Sequence, residues 1–326
     1  MKLPDVDQIK RFLLQLPLVT TAVAWAKTHS FPGAYGVPLY DVMVFVWNEM
    51  LRTDVLTRAN AVAYSFFISI FPAIIALFTF LPVVNYYLLG NVTWLEDLNF
   101  TLVEEIGNLV PSSMGEVLVE LIEDIILNPR FGLFSIGFLL AFYFGTNGMQ
   151  ALMQGFEKSY PATFRQRSFL RKQGVALLLT LVLGLMLLLS GIFIIVGDQL
   201  IYWITDIAWL SEQTLLLLTL TRWVVIILLV YSAISIIYRY GAATHIRFKF
   251  VSPGATVATL LSILASILFA VYLNKFNTYN KLYGGIGAIV AFLIWIQLNV
   301  MVLLVGFELN ASISVNRDLK QKPIEE

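Results

Sequence analysis

Apolar positions in this chain run in long blocks, and neither an alternating period nor a single helical stripe dominates. Five blocks contain no charged residue: 59–84, 131–156, 173–197, 250–274 and 282–307. A sixth, 213–238, is interrupted only by Arg222. A helix rises about 1.5 Å per residue and the hydrocarbon core of a bilayer is about 30 Å thick, so about 20 apolar residues suffice to cross it. The pattern predicts an all-α, polytopic membrane protein with six transmembrane helices.

Finer patterns lie inside the blocks. Ala61, Ser65, Ser69 and Ala73 recur every fourth residue in the first span, as do Gly254, Ala258, Ser262, Ser266 and Ala270 in the fifth. Such narrow faces let another helix approach closely, so these two predict the tightest contacts in the bundle. Pro72 removes a helical hydrogen bond from the first span and predicts a kink, as a packing feature or as a hinge. In the second span Gly137, Ala141 and Gly145 make a small face. Asn147, Gln150, Gln154 and Glu157, spaced by three, four and three, make a polar stripe on nearly the opposite side. Polar groups at this depth line a cavity or cross-link helices through hydrogen bonds. Gln297 and Glu308, eleven residues apart on the last span, also share a face.

Outside the spans, Ile9, Phe12, Leu13 and Leu16 fall at i, i+3, i+4 and i+7, which predicts an amphipathic interfacial helix closed or bent by Pro17. A turn-rich linker follows at 31–38, then a short helix at 41–51 acting as an elbow into the first span. Residues 1–55 thus form an N-terminal interfacial region, 56–311 the transmembrane domain and 312–326 a tail. The loop 85–130 predicts a helix capped by Ser112 or Ser113, with Val117, Leu118, Leu121, Ile122 and Ile125 on its apolar face. Glu116, Glu120 and Asp124 on its other face are too few for a calcium site, which needs about six to eight oxygens. Lys10 and Arg11 precede an apolar run resembling a signal peptide, but Gln15, Pro17, Thr20 and Thr21 dilute it, so the segment is expected to be retained.

Composition agrees with the pattern. Of 326 residues 59% are hydrophobic and 13% charged, with a mean hydropathy of +0.80. Soluble domains carry about 25% charged residues, so that class is excluded. Charge distribution adds orientation: seventeen Lys and Arg flank the spans on the side of the termini and only Arg130, Lys275 and Lys281 on the other. The positive-inside rule then predicts both termini in the cytoplasm and the acidic loop 85–130 outside. Arg222, about two turns inside the fourth span, snorkels, pairs with Glu212, Asp206 or Asp198, or serves as a substrate ligand. With no cysteine and only His29 and His245, no metal site or cofactor is expected. The basic loops lack the interleaved aromatics of a nucleic-acid surface, so no nucleic-acid partner is expected.

Several segments carry a resemblance to a known family. The run ANAVAYSFFISIFP in the first span, the acidic-Tyr-then-Arg-rich segment 157–172, Ser252-Pro253-Gly254-Ala255, and the closing Tyr283-Gly284…Gly287-Ala288, Trp295 and Gly306-Phe307-Glu308-Leu309-Asn310-Ala311 are similar to the YihY/BrkB family of bacterial inner-membrane proteins. The chain departs from the family pattern at Gly155-Phe156-Glu157, where an Asn is usual, and at Tyr238–Gly241, where a proline is common. The resemblance implies an inner-membrane protein of the cell envelope. Members were formerly called ribonuclease BN, but the scarcity of metal-binding and catalytic side chains argues against an enzyme here. Two readings compete. One is a transporter-like protein handling a small-molecule or lipid substrate, with a cytoplasm-facing cavity lined by Asn147, Gln150, Gln154, Glu157, Arg222, Gln297 and Glu308. The other is a structural scaffold whose partners are membrane lipids and whose polar groups hold helices together. The oligomeric state has no signal in the sequence.

Overall fold

The computed structural model describes residues 17–30, 32–52, 54–87, 131–208, 212–275 and 280–321. They form helices α1 (Pro17–Thr28), α2 (Leu39–Arg52), α3 (Val55–Tyr87), α4 (Phe131–Gly155), α5 (Phe169–Ala208), α6 (Glu212–Ile236), α7 (Pro253–Lys275) and α8 (Asn280–Gln321). A π-helical turn, Ile237–Gly241, continues α6. Among the described residues no strand occurs beyond one isolated bridge between Phe164 and Thr244. Six helices, α3 to α8, are long and apolar enough to cross a membrane, matching the six blocks of the sequence. The predicted helix at Ser112 or Ser113 and the amphipathic run before Pro17 lie outside the described residues.

Two compact units divide the chain: Ala63–Met149, and Met1–Val62 together with Gln150–Glu326. In the first, α3 and α4 pack through glycine. A methyl group on Gly137 would sit 3.0 Å from the Ala76 nitrogen and 3.3 Å from the Pro72 carbonyl oxygen, and one on Gly148 would strike the Phe66 ring. The predicted small face of α4 is therefore a contact face. The small residues of α3 behave differently from expectation, since Ala61 and Ala73 are exposed. The backbone of α3 is approached instead beside Pro72, and α3 is helical on both sides of that residue.

In the other unit the closest helix pair is α7 with α8. A Cβ on Gly254 would land on the Gly306 carbonyl oxygen, and one on Gly306 would lie 2.7 Å from both the Ala258 methyl and the Gly254 carbonyl oxygen. Ala258 and Ser262 are buried at this contact face, and the Trp295 indole donates to the Ser266 hydroxyl at 3.2 Å. The fifth-span stripe thus packs as its spacing predicts from Gly254 to Ser266, whereas Ala270 is exposed. An aromatic cluster centred on Phe307 lies nearby, with Phe156 stacked at 4.2 Å and Phe164, Tyr238 and Phe248 at 6.1–6.4 Å. The fully buried Tyr238 donates its hydroxyl to the Leu303 carbonyl at 2.7 Å.

Two local features differ in detail from the sequence reading. Tyr238–Gly241, lacking the family's proline, keeps helical pairing as a π turn. The carbonyls of Tyr240, Gly241 and Ala242, at its end, accept from the Arg167 guanidinium at 2.8–2.9 Å. Helix α8 runs on past Ala311 to Gln321, and Ser312, Ile313, Ser314 and Val315 are buried.

Candidate functional site

The N-terminal elbow builds one wall of the site. Gly33, Tyr35 and Gly36 adopt positive φ and fold the linker into turns, so that α2 starts with Ala34 and Val37 packed beside it. Val42 and Val46 of α2 then meet Leu309 and Ile313 of α8 in one apolar cluster. Glu49 falls at i+7 from Val42 and i+3 from Val46, so the packing that buries those valines carries a carboxylate inward. Asp54 next caps α3, its carboxylate accepting from the Thr57 hydroxyl at 2.6 Å. This fixes the first turn of α3, whose Arg58 donates to the Gly155 carbonyl at the end of α4 at 3.2 Å.

Between these elements the segment after α4 turns inward. The Lys158 ammonium donates to Glu49 at 2.9 Å and to Glu308 of α8 at 2.5 Å. The side chains of Lys158 and Glu308 are each only 2% exposed, and that of Glu49 is 9% exposed. The three residues therefore form a buried carboxylate–ammonium–carboxylate triad joining α2, the 156–168 connection and α8. Removing such charges from water costs several kcal/mol per ion, so the arrangement persists only because the partners meet at hydrogen-bonding distance. The second Glu308 oxygen, Oε2, is buried and has no hydrogen-bond partner among the described residues.

Glu49 and Lys158 also border an open recess of about 350 Å³. Arg52, Asp54, Arg58, Glu157, Ser159 and Tyr160 complete its lining. Burial, and then the charge of Glu49, raise the Tyr160 phenol above its usual pKa, with Arg52 opposing and Glu308 adding to the rise. Tyr160 is accordingly, with Ser159, a neutral group in a wall made mostly of charges.

The candidate residues of the sequence reading are distributed as follows. Glu157 lines the recess and forms an ion pair with Lys172. Glu308 is tied to the recess through Lys158. Gln150 is half-buried and donates to the Gln173 amide oxygen at 2.6 Å, joining α4 to α5. Gln154 is exposed, and Asn147 is partly buried in the other compact unit. Gln297 is partly buried, about three turns from Glu308 along α8. Arg222 is partly buried, with its guanidinium 5.7 Å from the centre of the Trp223 ring. Glu49 and Lys158, at the centre of the site, are not among the residues that the sequence pattern singles out. Glu49 is legible as a carboxylate on the apolar stripe of a short amphipathic helix, whereas Lys158 reads as one of several topogenic loop charges.

Six membrane-length helices, a close-packed glycine pair and a buried triad at one end of the helices define a polytopic membrane protein. The family described as Virulence factor BrkB matches residues 46–326, and the chain belongs to that family. It is 26% identical over 266 residues to the "Putative ribonuclease-like protein YfkH" of Bacillus subtilis, covering 81% of this chain and 91% of that one. It is also 26% identical over 211 residues to a UPF0761 membrane protein of Idiomarina loihiensis, covering 64% of this chain and 70% of the relative. A UPF0761 membrane protein of Pseudoalteromonas translucida is 37% identical over 78 residues, 24% of this chain and 26% of that one. No solved structure matches the chain.

Proposed function

We propose that this BrkB-family protein is a non-enzymatic, transporter-like protein of the bacterial inner membrane. In this reading both termini are cytoplasmic, and the recess beside Lys158 is the cytoplasmic vestibule for a small polar or amphiphilic substrate. The observation that carries the reading is the buried Glu49–Lys158–Glu308 triad at the wall of an open, charge-lined recess. A purely structural helix end is assembled more stably from apolar side chains than from three buried charges. Charges retained in membrane helices mark pathways for ions or substrates. A scaffold is the second reading, and the Gln150–Gln173 hydrogen bond favours it, since that amide pair does what helix cross-linking requires.

Cysteine accessibility separates the two. The chain has no cysteine, so single Cys residues can be introduced at Ser159, Asn147 and Gln150 and challenged from the cytoplasmic side with an impermeant thiol reagent. Water at the stripe of α4 makes Cys at positions 147 and 150 react as Ser159→Cys does, while Cys at the exposed Leu139 stays inert, because a thiolate forms poorly in hydrocarbon. Reaction at 159 alone favours the scaffold. The companion measurement compares lipids and small solutes in cells making the wild type or a Lys158→Met variant at equal membrane abundance. Identical profiles would remove the transport reading.

A further inference from the structure

On the same compact unit but away from that recess, a second and smaller one opens between the 32–38 turn, the 246–253 connection and α8. Its cations lie against aromatic rings. The Lys249 ammonium lies 4.8 Å and the Arg317 guanidinium 5.1 Å from the centre of the Tyr35 ring. Arg247 lines the same recess and lies 5.0 Å from the centre of the Tyr240 ring. Arg317 pairs with Asp318, but among the described residues no carboxylate pairs with Arg247 or Lys249. The local field is positive enough to act on a neighbour. Burial first, then Arg165 and Arg247, hold the Arg167 guanidinium below its usual pKa. The start of α7 is not the source of the attraction, because the Gly254 and Ala255 N–H groups are already taken by Asn310 and Ser252.

Two further observations choose the ligand. The recess holds about 30 Å³, and one water needs about 10–15 Å³, so it has room for roughly two or three oxygens of an oxyanion seated at its mouth and not for an acyl chain. Its lip carries Ile246 and Val251, 61% and 73% exposed, directly beside the cations. Apolar side chains exposed next to cations that lack a carboxylate partner, at the end of membrane-length helices, match a phosphodiester with hydrocarbon attached and are wasted on a free anion.

We infer that Arg247, Lys249 and Arg317, the last two against the Tyr35 ring and all three lining one recess bordered by Ile246 and Val251, form a binding site for the headgroup of an anionic phospholipid. The cations hold the phosphodiester, and the apolar lip holds the first methylenes of the chains. This inference does not depend on the transport reading, since none of these residues lines the recess beside Lys158.

The test uses the full chain in nanodiscs of phosphatidylcholine containing a minority of phosphatidylglycerol, with co-purifying lipid counted by native mass spectrometry. The wild type should retain phosphatidylglycerol over phosphatidylcholine. Lys249→Gln should lower the retained amount about fivefold, the effect of one basic residue at a membrane surface. Val251→Asn should also lower it, whereas Arg171→Gln, at an exposed basic residue outside the recess, should lower it markedly less than Lys249→Gln. Both recess positions are exposed, and an unchanged thermal transition establishes that each variant is folded. Equal losses from Lys249→Gln and Arg171→Gln would reduce the site to diffuse electrostatics and overturn the inference. Retention of soluble glycerol phosphate in pure phosphatidylcholine discs, without enrichment of phosphatidylglycerol, would overturn the lipid assignment in favour of a free oxyanion.

Discussion

Lys158 is the residue on which packing at this end of the larger unit turns, because its ammonium is the hydrogen-bond donor shared by two buried carboxylates. Substitution by Met leaves Glu49 and Glu308 facing each other without that cation, and loss of one partner from a buried pair costs about 3–5 kcal/mol. Glu308→Gln keeps Lys158 paired with Glu49 and should cost markedly less. Unfolding in mild detergent is expected to rank wild type, Glu308→Gln and Lys158→Met in falling stability. Adding Glu308→Gln to Lys158→Met should restore part of the loss, because the buried Glu308 carboxylate then no longer stands without its cation. A Lys158→Met protein as stable as the wild type would mean that the triad is not held together in the membrane. Glu308 is recognisable from sequence as a polar residue near a helix end. Its burial is not, since pairing with a residue 150 positions away leaves no periodic trace.

Among the elements, α7 and α8 illustrate how much a spacing of four conveys. The recurrence from Gly254 to Ala270 predicts a close-packing face, and the structure supplies the partner, the Gly306 region of α8. Gly254→Ala should destabilise the protein by about 1–3 kcal/mol, because the new methyl meets backbone that cannot yield. Gly184→Ala in α5 is the matched control: nothing lies within 4 Å of the added methyl, and Ala favours a helix over Gly by about 1 kcal/mol. Ala258→Leu and Ser262→Leu should likewise lose more stability than Leu264→Ala, since Leu264 is exposed. Thermal shifts of the purified variants decide this, and equal shifts at positions 254 and 184 would remove the close approach. The same spacing on α3 is less informative. A small-residue face records that a close approach is possible there, while the selection of Gly137 as the actual neighbour depends on the shape of α4.

At the level of the whole molecule, charge asymmetry makes a prediction that packing alone does not. With seventeen basic residues on the side of the termini against three opposite, a periplasm-dependent reporter fused after Lys322 should be silent, and the same reporter placed within 85–130 should be active. Activity of the first fusion would reverse the orientation and move the recess beside Lys158 to the outside. The pairing of the 157–168 and 242–252 connections fits their lying on one side: the Arg165 N–H donates to the Ala243 carbonyl at 2.8 Å and the His245 N–H to that of Thr163 at 2.9 Å. The Thr163 hydroxyl reaches Asp318 on α8 at 2.8 Å, so the end of the last helix is stitched to the same layer.

The number of membrane-length helices, their approximate limits, the charge asymmetry and the close-packing stripe of α7 follow from the sequence by itself, because each depends on residues near one another in the chain. Hydrophobic length selects a spanning helix, and spacing along it selects a face. The composition of the candidate site was decided only in three dimensions. Glu49, Lys158 and Glu308 come from an elbow helix, a connection and the last span, and Tyr35 meets Lys249 and Arg317 across still larger separations in sequence. A charge is read from sequence as exposed unless its partner is known, and these partners are brought together by the packing of Val42 and Val46 against Leu309 and Ile313. Burial of the valines is the local cause, and convergence of the charges is its tertiary consequence.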